Sequence, residues 1–270
     1  MSTPVMPRLG MGTWHMGERA KDRAAEVAAL RLGIDLGVTL VDTAEMYGDG
    51  ESERIVGEAL RGRRDAVYLV SKFYPHHAGK RELVSACEAS LKRLGVEAID
   101  LYLLHWRSSV PFATMVEALE RLEAAGKIGR WGVSNLDVGD LEELVRAPGG
   151  VRVAADQVLY NLARRGAEFD LLPWCARRGV DVMAYSPLDE GPLASHAALR
   201  TVGKRLGATP AQVAIAWLLA RGVVVIPKAT RPEHVRANAA ARELTLDAEA
   251  LAALDRAFPP PRAKRPLEMI

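Results

Sequence analysis

Four side chains with complementary proton chemistry lie at or near the ends of apolar runs. Asp42, Lys72 and His105 end three runs that are typical of buried β-strands, and Tyr47 lies in the loop just past the first run. If these runs are neighbouring strands of one parallel barrel, the four side chains converge at its mouth. A phenol, an amine, a carboxylate and an imidazole that converge can move a proton onto a carbonyl oxygen. The pattern therefore indicates reduction of a carbonyl group.

The roles of these groups follow from what carbonyl reduction requires. A phenol ordinarily has a pKa of about 10, so Tyr47 would be a weak acid at neutral pH. The Lys72 ammonium would stabilise the phenolate and lower that pKa, and Asp42 would keep the lysine charged. A neutral His105 would orient the carbonyl oxygen. No side chain donates hydride, so a cofactor must supply it.

The elements that position these residues alternate along the chain. Apolar runs that predict parallel strands cover residues 8–12, 38–43, 66–72, 99–105, 129–135, 154–160, 180–186 and 223–228. Amphipathic stretches that predict helices cover residues 22–36, 51–61, 80–94, 112–125, 137–146, 168–178, 210–221 and 232–241. This order predicts one (β/α)₈ TIM barrel over residues 1–270, with one extra C-terminal helix at 247–256.

Composition narrows the function classes. The 270 residues carry a net charge of +2, which favours neither nucleic acid nor an anionic membrane as a partner. No run is apolar enough to span a bilayer, and the N-terminal residues lack the pattern of a signal peptide. The two distant cysteines, Cys87 and Cys175, predict free thiols and a cytoplasmic location. The six histidines show no metal-ligand spacing, so we expect no metal, and we expect a monomer.

A dinucleotide cofactor would need a phosphate site. Gly10-Met11-Gly12 lacks the third glycine of a Rossmann fingerprint. Barrels bind phosphate through the loops after strands 7 and 8, where SPLDEG (186–191) and IPKATRPEHVRAN (226–238) occur. The second segment combines several cations with a predicted helix start, an arrangement that favours phosphate.

The chain resembles the aldo-keto reductases over essentially its whole length. The segments that carry the resemblance are LGMGTW (9–14), DTAEMYGDGESERIVGEAL (42–60), LVSK (69–72), DLYLLHW (100–106), GKIGRWGVSN (126–135), QVLYN (157–161), AYSPL (184–188) and IPKAT (226–230). Within the family it is similar to the small bacterial members that reduce methylglyoxal and related aldehydes. The resemblance implies Tyr47 as the proton donor, Lys72 and Asp42 as its supporting pair, and His105 as the substrate-orienting histidine.

The resemblance also implies a cofactor cleft. Ser134, Asn135 and Gln157 match residues that bind the nicotinamide carboxamide, and Tyr185 matches the aromatic residue stacked on the nicotinamide. The other implied cofactor residues are Gly12, Thr13, Trp14, Asp42, Ser186, Pro187, Leu188, Pro227, Lys228 (at the 2′-phosphate), Ala229, Thr230, Arg231, His234 and Asn238 (at the adenine). The implied substrate residues are Trp14, Tyr47, Tyr74, His105 and Trp106.

Three departures from the family pattern bear on these expectations. Ala229 and His234 stand where many relatives have Ser and Arg, which removes two phosphate contacts. We therefore expect NADPH as the cofactor, with NADH as a weaker one. Only eight residues precede LGMGTW, too few for the N-terminal hairpin of relatives, so the barrel floor must be covered by one short segment or left more open.

The predicted function is NAD(P)H-dependent reduction of small aldehydes and ketoaldehydes to alcohols, in a cleft left open by short loops after strands 4 and 7 and a short tail. One alternative is a catalytically weak NADPH-binding barrel that acts as a redox-sensing subunit. A second alternative is a barrel isomerase or aldolase that uses Lys72 in a Schiff base. A lysine next to Asp42 would stay charged, which is wrong for that chemistry.

Overall fold

Eight parallel strands in chain order form the sheet in a computed structural model that describes residues 5–270. A bridge between Leu9 and Val225 joins the first strand segment to the last and closes the sheet into a barrel. The strands are β1 Gly10–Gly12, β2 Leu40–Asp42, β3 Tyr68–Phe73, β4 Ile99–Leu104, β5 Ile128–Ser134, β6 Ala155–Leu159, β7 Asp181–Tyr185 and β8 Val224–Val225. The predicted (β/α)₈ architecture is confirmed.

Ten α-helices lie in the described part of the chain, and most of them cover the outside of the barrel. They are α1 Arg23–Asp35, α2 Glu51–Leu60, α3 Lys80–Leu94, α4 Phe112–Ala124, α5 Val138–Arg146, α6 Leu171–Arg178, α7 Ala197–Leu206, α8 Pro210–Ala220, α9 Pro232–Ala240 and α10 Ala248–Ala257. The extra C-terminal helix was predicted, but α7 was not. Between residues 5 and 270, no helix has the length and apolar content needed to cross a membrane.

The floor of the barrel is covered by a short N-terminal segment. Met6 is buried and belongs to the apolar cluster inside the barrel, together with Leu40, Tyr68 and Leu101. Arg8 follows and forms an ion pair with Asp181 at the start of β7, with 2.7 Å between Nη1 and Oδ1. Of the two arrangements expected for the floor, the structure has the single short segment.

The mouth of the barrel depends on a glycine at the end of β1. The Gly12 N–H donates to the Pro227 carbonyl at 3.1 Å. A Cβ at this position would lie 2.8 Å from the Ile226 carbonyl oxygen, closer than real side chains approach. Gly12 therefore lets the loop after β8 reach the loop after β1, which brings two predicted cofactor segments together.

Candidate active site

Lys72 is the centre of a hydrogen-bonded group at the carboxyl ends of β2 and β3. Its side chain is fully buried, and Nζ donates to Asp42 Oδ2 at 2.8 Å, to the Thr43 carbonyl at 2.9 Å and to the Tyr47 hydroxyl at 3.1 Å. An ammonium has three donors and no acceptor, so all three are used. The Tyr47 oxygen therefore accepts from Lys72, and its own proton is free to be donated elsewhere.

Tyr47 begins a short 3₁₀ turn, Tyr47–Gly50, between β2 and α2. Gly48 and Asp49 in this turn have φ values of 56° and 50°, the left-handed conformation that glycine adopts at no steric cost. The turn brings Tyr47 back over the barrel, where it is only 7% exposed. Its ring lies 5.5 Å from that of Trp14 and 5.7 Å from that of His105.

The charges of this group follow from burial and from the neighbouring groups. Burial lowers the pKa of Lys72, but Asp42 and Tyr47 more than offset that effect, so the pKa is raised and the ammonium stays charged. Burial raises the pKa of Tyr47 above its ordinary value, although Lys72 acts in the opposite direction. The expected lowering of the Tyr47 pKa is therefore wrong in its net sign: Lys72 lowers it, but burial outweighs Lys72.

His105 directly follows β4, and its backbone N–H donates to the Phe73 carbonyl at 3.0 Å. Burial and the nearby Lys72 ammonium lower the pKa of His105 to about 2. The imidazole is thus neutral at physiological pH, as the predicted role of orienting a carbonyl requires. Within residues 5–270, no three His, Cys, Asp or Glu side chains come together in a way that could hold a metal ion.

A cavity of about 800 Å³ lies directly above these residues. That volume is in the range of small-molecule and cofactor sites. The predicted site residues that line it are Gly12, Thr13, Trp14, Asp42, Tyr47, His105, Trp106, Ser134, Asn135, Gln157, Tyr185, Ser186, Pro187, Leu188, Pro227 and Lys228. The structure thus brings most of the predicted catalytic and cofactor residues to one cavity.

The wall opposite Tyr47 is built from amide and hydroxyl groups. Asn135 has φ of 59°, a left-handed conformation that asparagine tolerates, and its Nδ2 donates to the His105 carbonyl at 3.2 Å. The Tyr185 hydroxyl donates to Asn135 Oδ1 at 3.0 Å. Gln157 Nε2 donates to Asp42 Oδ1 at 2.7 Å, and the Ser134 hydroxyl donates to the Gln157 carbonyl. These amide and hydroxyl groups are bonded to one another, to the His105 carbonyl and to Asp42, so the structure fixes their orientation at the cavity.

Some predicted residues lie away from the cavity lining. Lys72 lies beneath it, and Tyr74 lies behind Trp106 with 6.0 Å between ring centroids. The five predicted residues that follow Lys228 do not line it either: Arg231 and His234 are exposed, and Ala229, Thr230 and Asn238 are half-buried. Arg231 contacts the His234 ring at the start of α9.

Seven lining residues were not predicted: His15, Met46, Glu190, Gly191, Ile226, Met269 and Ile270. Most of them adjoin predicted segments, but Met269 and Ile270 come from the tail. The expectation of a short loop after β7 is wrong, because residues 186–209 contain α7, and the tail also contributes to the cavity lining. Arg164 joins these two segments through Asp189 (3.2 Å) and Glu268 (2.9 Å).

The fold and this site define an oxidoreductase barrel with a tyrosine, lysine, aspartate and histidine at its mouth. The sequence profile described as "Aldo/keto reductase family" matches residues 8–258, and the chain belongs to that family. It is 51% identical to methylglyoxal reductase YeaE of Escherichia coli strain K12, over 98% of this chain and 95% of that protein. It is 30% identical to methylglyoxal reductase DkgB of Salmonella typhimurium, over 93% of this chain and 94% of that protein.

A solved structure agrees with the architecture. The aldo/keto reductase of Klebsiella pneumoniae, crystallised with NADP and acetate, superposes with a TM-score of 0.96. It is 52% identical, and the match covers 98% of this chain and 95% of that one. The resemblance identified from sequence motifs is thereby confirmed.

Proposed function

We propose that this protein reduces small aldehydes and ketoaldehydes, such as methylglyoxal, to alcohols with NADPH as the hydride donor. The observation that carries the proposal is the use of all three Lys72 donors, which leaves the Tyr47 proton free at the cavity beside a neutral His105. The names of the Escherichia coli and Salmonella relatives support methylglyoxal as a substrate. The Klebsiella complex supports NADP(H) as the cofactor.

The cavity has the groups that a nicotinamide dinucleotide needs. Ser134, Asn135 and Gln157 offer donors and acceptors to the carboxamide, and the Tyr185 ring offers a flat face beside them. Lys228 lies at the other end, where a cation would meet the 2′-phosphate. When bound, the reduced nicotinamide supplies the hydride that no side chain can supply.

The residues of this chain would do the rest of the chemistry. His105 holds the carbonyl oxygen, and Tyr47 donates its proton to that oxygen as negative charge develops there. The phenolate left on Tyr47 is stabilised by the Lys72 ammonium, which Asp42 holds in place at 2.8 Å. A proton from water then restores the phenol. The phenol is protonated at neutral pH, as proton donation requires, and Lys72 acts against burial by lowering the Tyr47 pKa, which eases the loss of the proton.

The test is oxidation of NADPH by the purified protein in the presence of methylglyoxal, with the product identified by mass spectrometry. Reduction of the aldehyde carbon gives hydroxyacetone, and reduction of the ketone carbon gives lactaldehyde. Tight NADPH binding without turnover of any aldehyde would favour the redox-sensing subunit. Trapping of a Lys72 adduct by borohydride would favour the Schiff-base alternative, which the charged, fully bonded Lys72 opposes.

The proposal extends to the state of the molecule in the cell. We infer that residues 1–270 act as one domain and as a cytoplasmic monomer. Among the described residues, five large apolar side chains are exposed, and two of them, Met269 and Ile270, line the cavity. Few large apolar side chains are therefore left for an interface between subunits. Cys87 and Cys175 are both free and buried, which suits a reducing compartment. Light scattering on a sizing column measures the mass directly.

A further inference from the structure

Glu45 is a buried carboxylate two residues before Tyr47. It is 8% exposed, and its backbone N–H donates to the Lys72 carbonyl at 3.1 Å. The residue is thus fixed between the loop that carries Tyr47 and the end of β3. It does not line the cavity, so a role in the reaction must be exerted through another residue.

Both hydrogen bonds of Glu45 Oε1 go to the segment that follows β3. The Tyr74 backbone N–H donates to this oxygen at 2.6 Å, and His77 Nδ1 lies 2.8 Å from it. Hydrogen bonds to an ionised carboxylate are about twice as strong as bonds between neutral groups. One carboxylate oxygen therefore holds both ends of the short turn that contains Pro75–His77.

This turn carries an aromatic wall. The Tyr74 ring stacks on His76 at 4.9 Å with an interplanar angle of 27°. Its edge meets Trp106 at 6.0 Å with an angle of 88°, and Trp106 lines the cavity. On the far side of the turn, the Ser108 hydroxyl donates to the Pro75 carbonyl at 2.7 Å. The backbone of the turn that carries Tyr74 is thus held by Glu45 at both ends and by Ser108 at Pro75.

Besides the hydrogen bond with the His77 ring, one guanidinium lies near the Glu45 carboxylate. Arg93 Nη2 lies 3.9 Å from Glu45 Oε2, but Arg93 Nε donates to Glu53 at 2.6 Å and thus has a closer partner. The main role of the Glu45 carboxylate is therefore to accept the two bonds from the turn. A glutamine could still accept both bonds, whereas an alanine could accept neither.

We propose that Glu45 is a positioning residue for substrate selection, which holds Tyr74 against Trp106 so that the pair forms a firm wall for aromatic aldehydes. The inference rests on the proposed function. A substrate as small as methylglyoxal would be held by Tyr47, His105 and Trp14, whereas a larger aldehyde would also contact Trp106, the part of the wall that lines the cavity. Glu45 would thus govern the affinity for larger aldehydes and leave the chemical step alone.

The experiment compares Glu45→Ala, Glu45→Gln, Tyr74→Ala and the Glu45→Ala/Tyr74→Ala double variant, with benzaldehyde and methylglyoxal as substrates. We expect Glu45→Ala to raise KM for benzaldehyde about tenfold, equivalent to about 1.4 kcal/mol, with kcat nearly unchanged. For methylglyoxal, kcat/KM should stay within about twofold, which corresponds to only about 0.4 kcal/mol. Glu45→Gln should restore most of the benzaldehyde affinity.

The double variant tests whether Glu45 acts through Tyr74. Once Tyr74→Ala has removed the ring, Glu45→Ala should cause little further loss, so the two effects should not add. Glu26→Ala is the matched control, since Glu26 is also buried and also accepts a backbone N–H, from Gly17 at 3.1 Å, but does not contact the turn. Glu26→Ala should lower the melting temperature without changing the ratio of kcat/KM for benzaldehyde to kcat/KM for methylglyoxal.

Each outcome bears on the inference. Equal losses for both aldehydes, or additive effects of Glu45→Ala and Tyr74→Ala, would overturn it while leaving the proposed function intact. No turnover of either aldehyde by the wild-type protein would overturn both. If Glu45→Ala does not fold, His77→Ala can replace it, because it removes one of the two bonds to Glu45. His77→Ala should also raise KM for benzaldehyde, but by less than about tenfold. An unchanged KM in His77→Ala together with a raised KM in Glu45→Gln would contradict the hydrogen-bonding role.

Discussion

At one end of the cavity the predicted catalytic side chains are buried, whereas at the other end the predicted phosphate ligands are exposed. Lys72 has no exposed surface and uses all three of its donors within the protein. Lys228 and Arg231 lie on the surface, and among residues 5–270 the polar contacts of the Arg231 side chain go to its near neighbours His234 and Glu233. The buried end is organised by folding, while the exposed end is left to be organised by a ligand. Substitutions at the two ends should therefore change different kinetic quantities.

The largest effect is expected at the buried end. Tyr47→Phe removes only a hydroxyl, so the fold and the binding of NADPH should be kept. Reduction should fall by about 10²–10⁴-fold, the usual contribution of a positioned acid. Single-turnover rates with saturating NADPH measure the loss directly. A kcat near that of the wild-type protein would remove Tyr47 from the mechanism.

Lys72→Met should have the next largest effect, a loss in kcat of about 10²-fold. The substitution removes the one group that lowers the Tyr47 pKa, so that pKa should rise further. In alcohol oxidation the phenolate is the base, and the rising limb of the pH profile should accordingly move to higher pH. Thermal melting is the control for stability, because the methionine leaves Asp42 without its ion-pair partner. An unmoved pH profile would show that Lys72 is only structural.

At the exposed end the effect should fall on affinity and not on chemistry. Lys228→Ala should weaken NADPH by about 10- to 150-fold, the range for one hydrogen bond to a charged group. NADH lacks the 2′-phosphate, so its KM should barely change and kcat with either cofactor should stay the same. Arg231→Ala should also weaken the binding of NADPH, but by less than Lys228→Ala does. Equal weakening of both cofactors by Lys228→Ala would contradict the assignment.

The contrast between the two ends also explains what could be predicted from the sequence. The strands of a closed barrel are buried on both faces, so they form continuous apolar runs, and a polar residue at the end of a run is conspicuous. Asp42, Lys72 and His105 were found for that reason. The strand predicted at 223–228 is only Val224–Val225, because Pro227 has no N–H to donate to a neighbouring strand.

Features that depend on distant contacts could not be predicted in this way. The N-cap of helix α7 is His196, whose side chain accepts the Ala198 N–H, and histidine is not among the residues that usually cap helices. Its buried Leu199 and Val202 and the left-handed Gly207 at its end were a usable signal. The tail had no such signal, because Arg164 and Glu268, which hold it near the cavity, are far apart in sequence. The hydrogen bond from the Tyr74 N–H to Glu45 also joins residues that are far apart in sequence, so no local sequence pattern predicts it.

Burial at the catalytic end should also be measurable as acid sensitivity. His105 stays neutral in the folded protein down to about pH 2, whereas in the unfolded chain histidine gains a proton below about pH 6.5. Between these values the unfolded state binds the extra proton, so stability falls as pH falls, by up to about 1.4 kcal/mol per pH unit. His105→Gln should remove this part of the slope. Urea unfolding of both proteins across the acidic range gives the difference, and equal slopes would mean that His105 titrates in the folded state.

The smallest expected effect lies at the exposed end and concerns cofactor choice. His234 lies in the first turn of α9, where its ring contacts Arg231 and where a permanent positive charge would join Lys228 and Arg231 in attracting a 2′-phosphate. An exposed ion pair contributes about 0.2–1 kcal/mol, so we expect His234→Arg to raise the ratio of kcat/KM for NADPH over NADH by about two- to threefold. The gain should come from a lower KM for NADPH, while KM for NADH stays unchanged because NADH has no 2′-phosphate. Steady-state kinetics with both cofactors measure the ratio. An equal change in KM for NADH and NADPH would show that the start of α9 does not contact the phosphate, and the contrast between the two ends would then rest on burial alone.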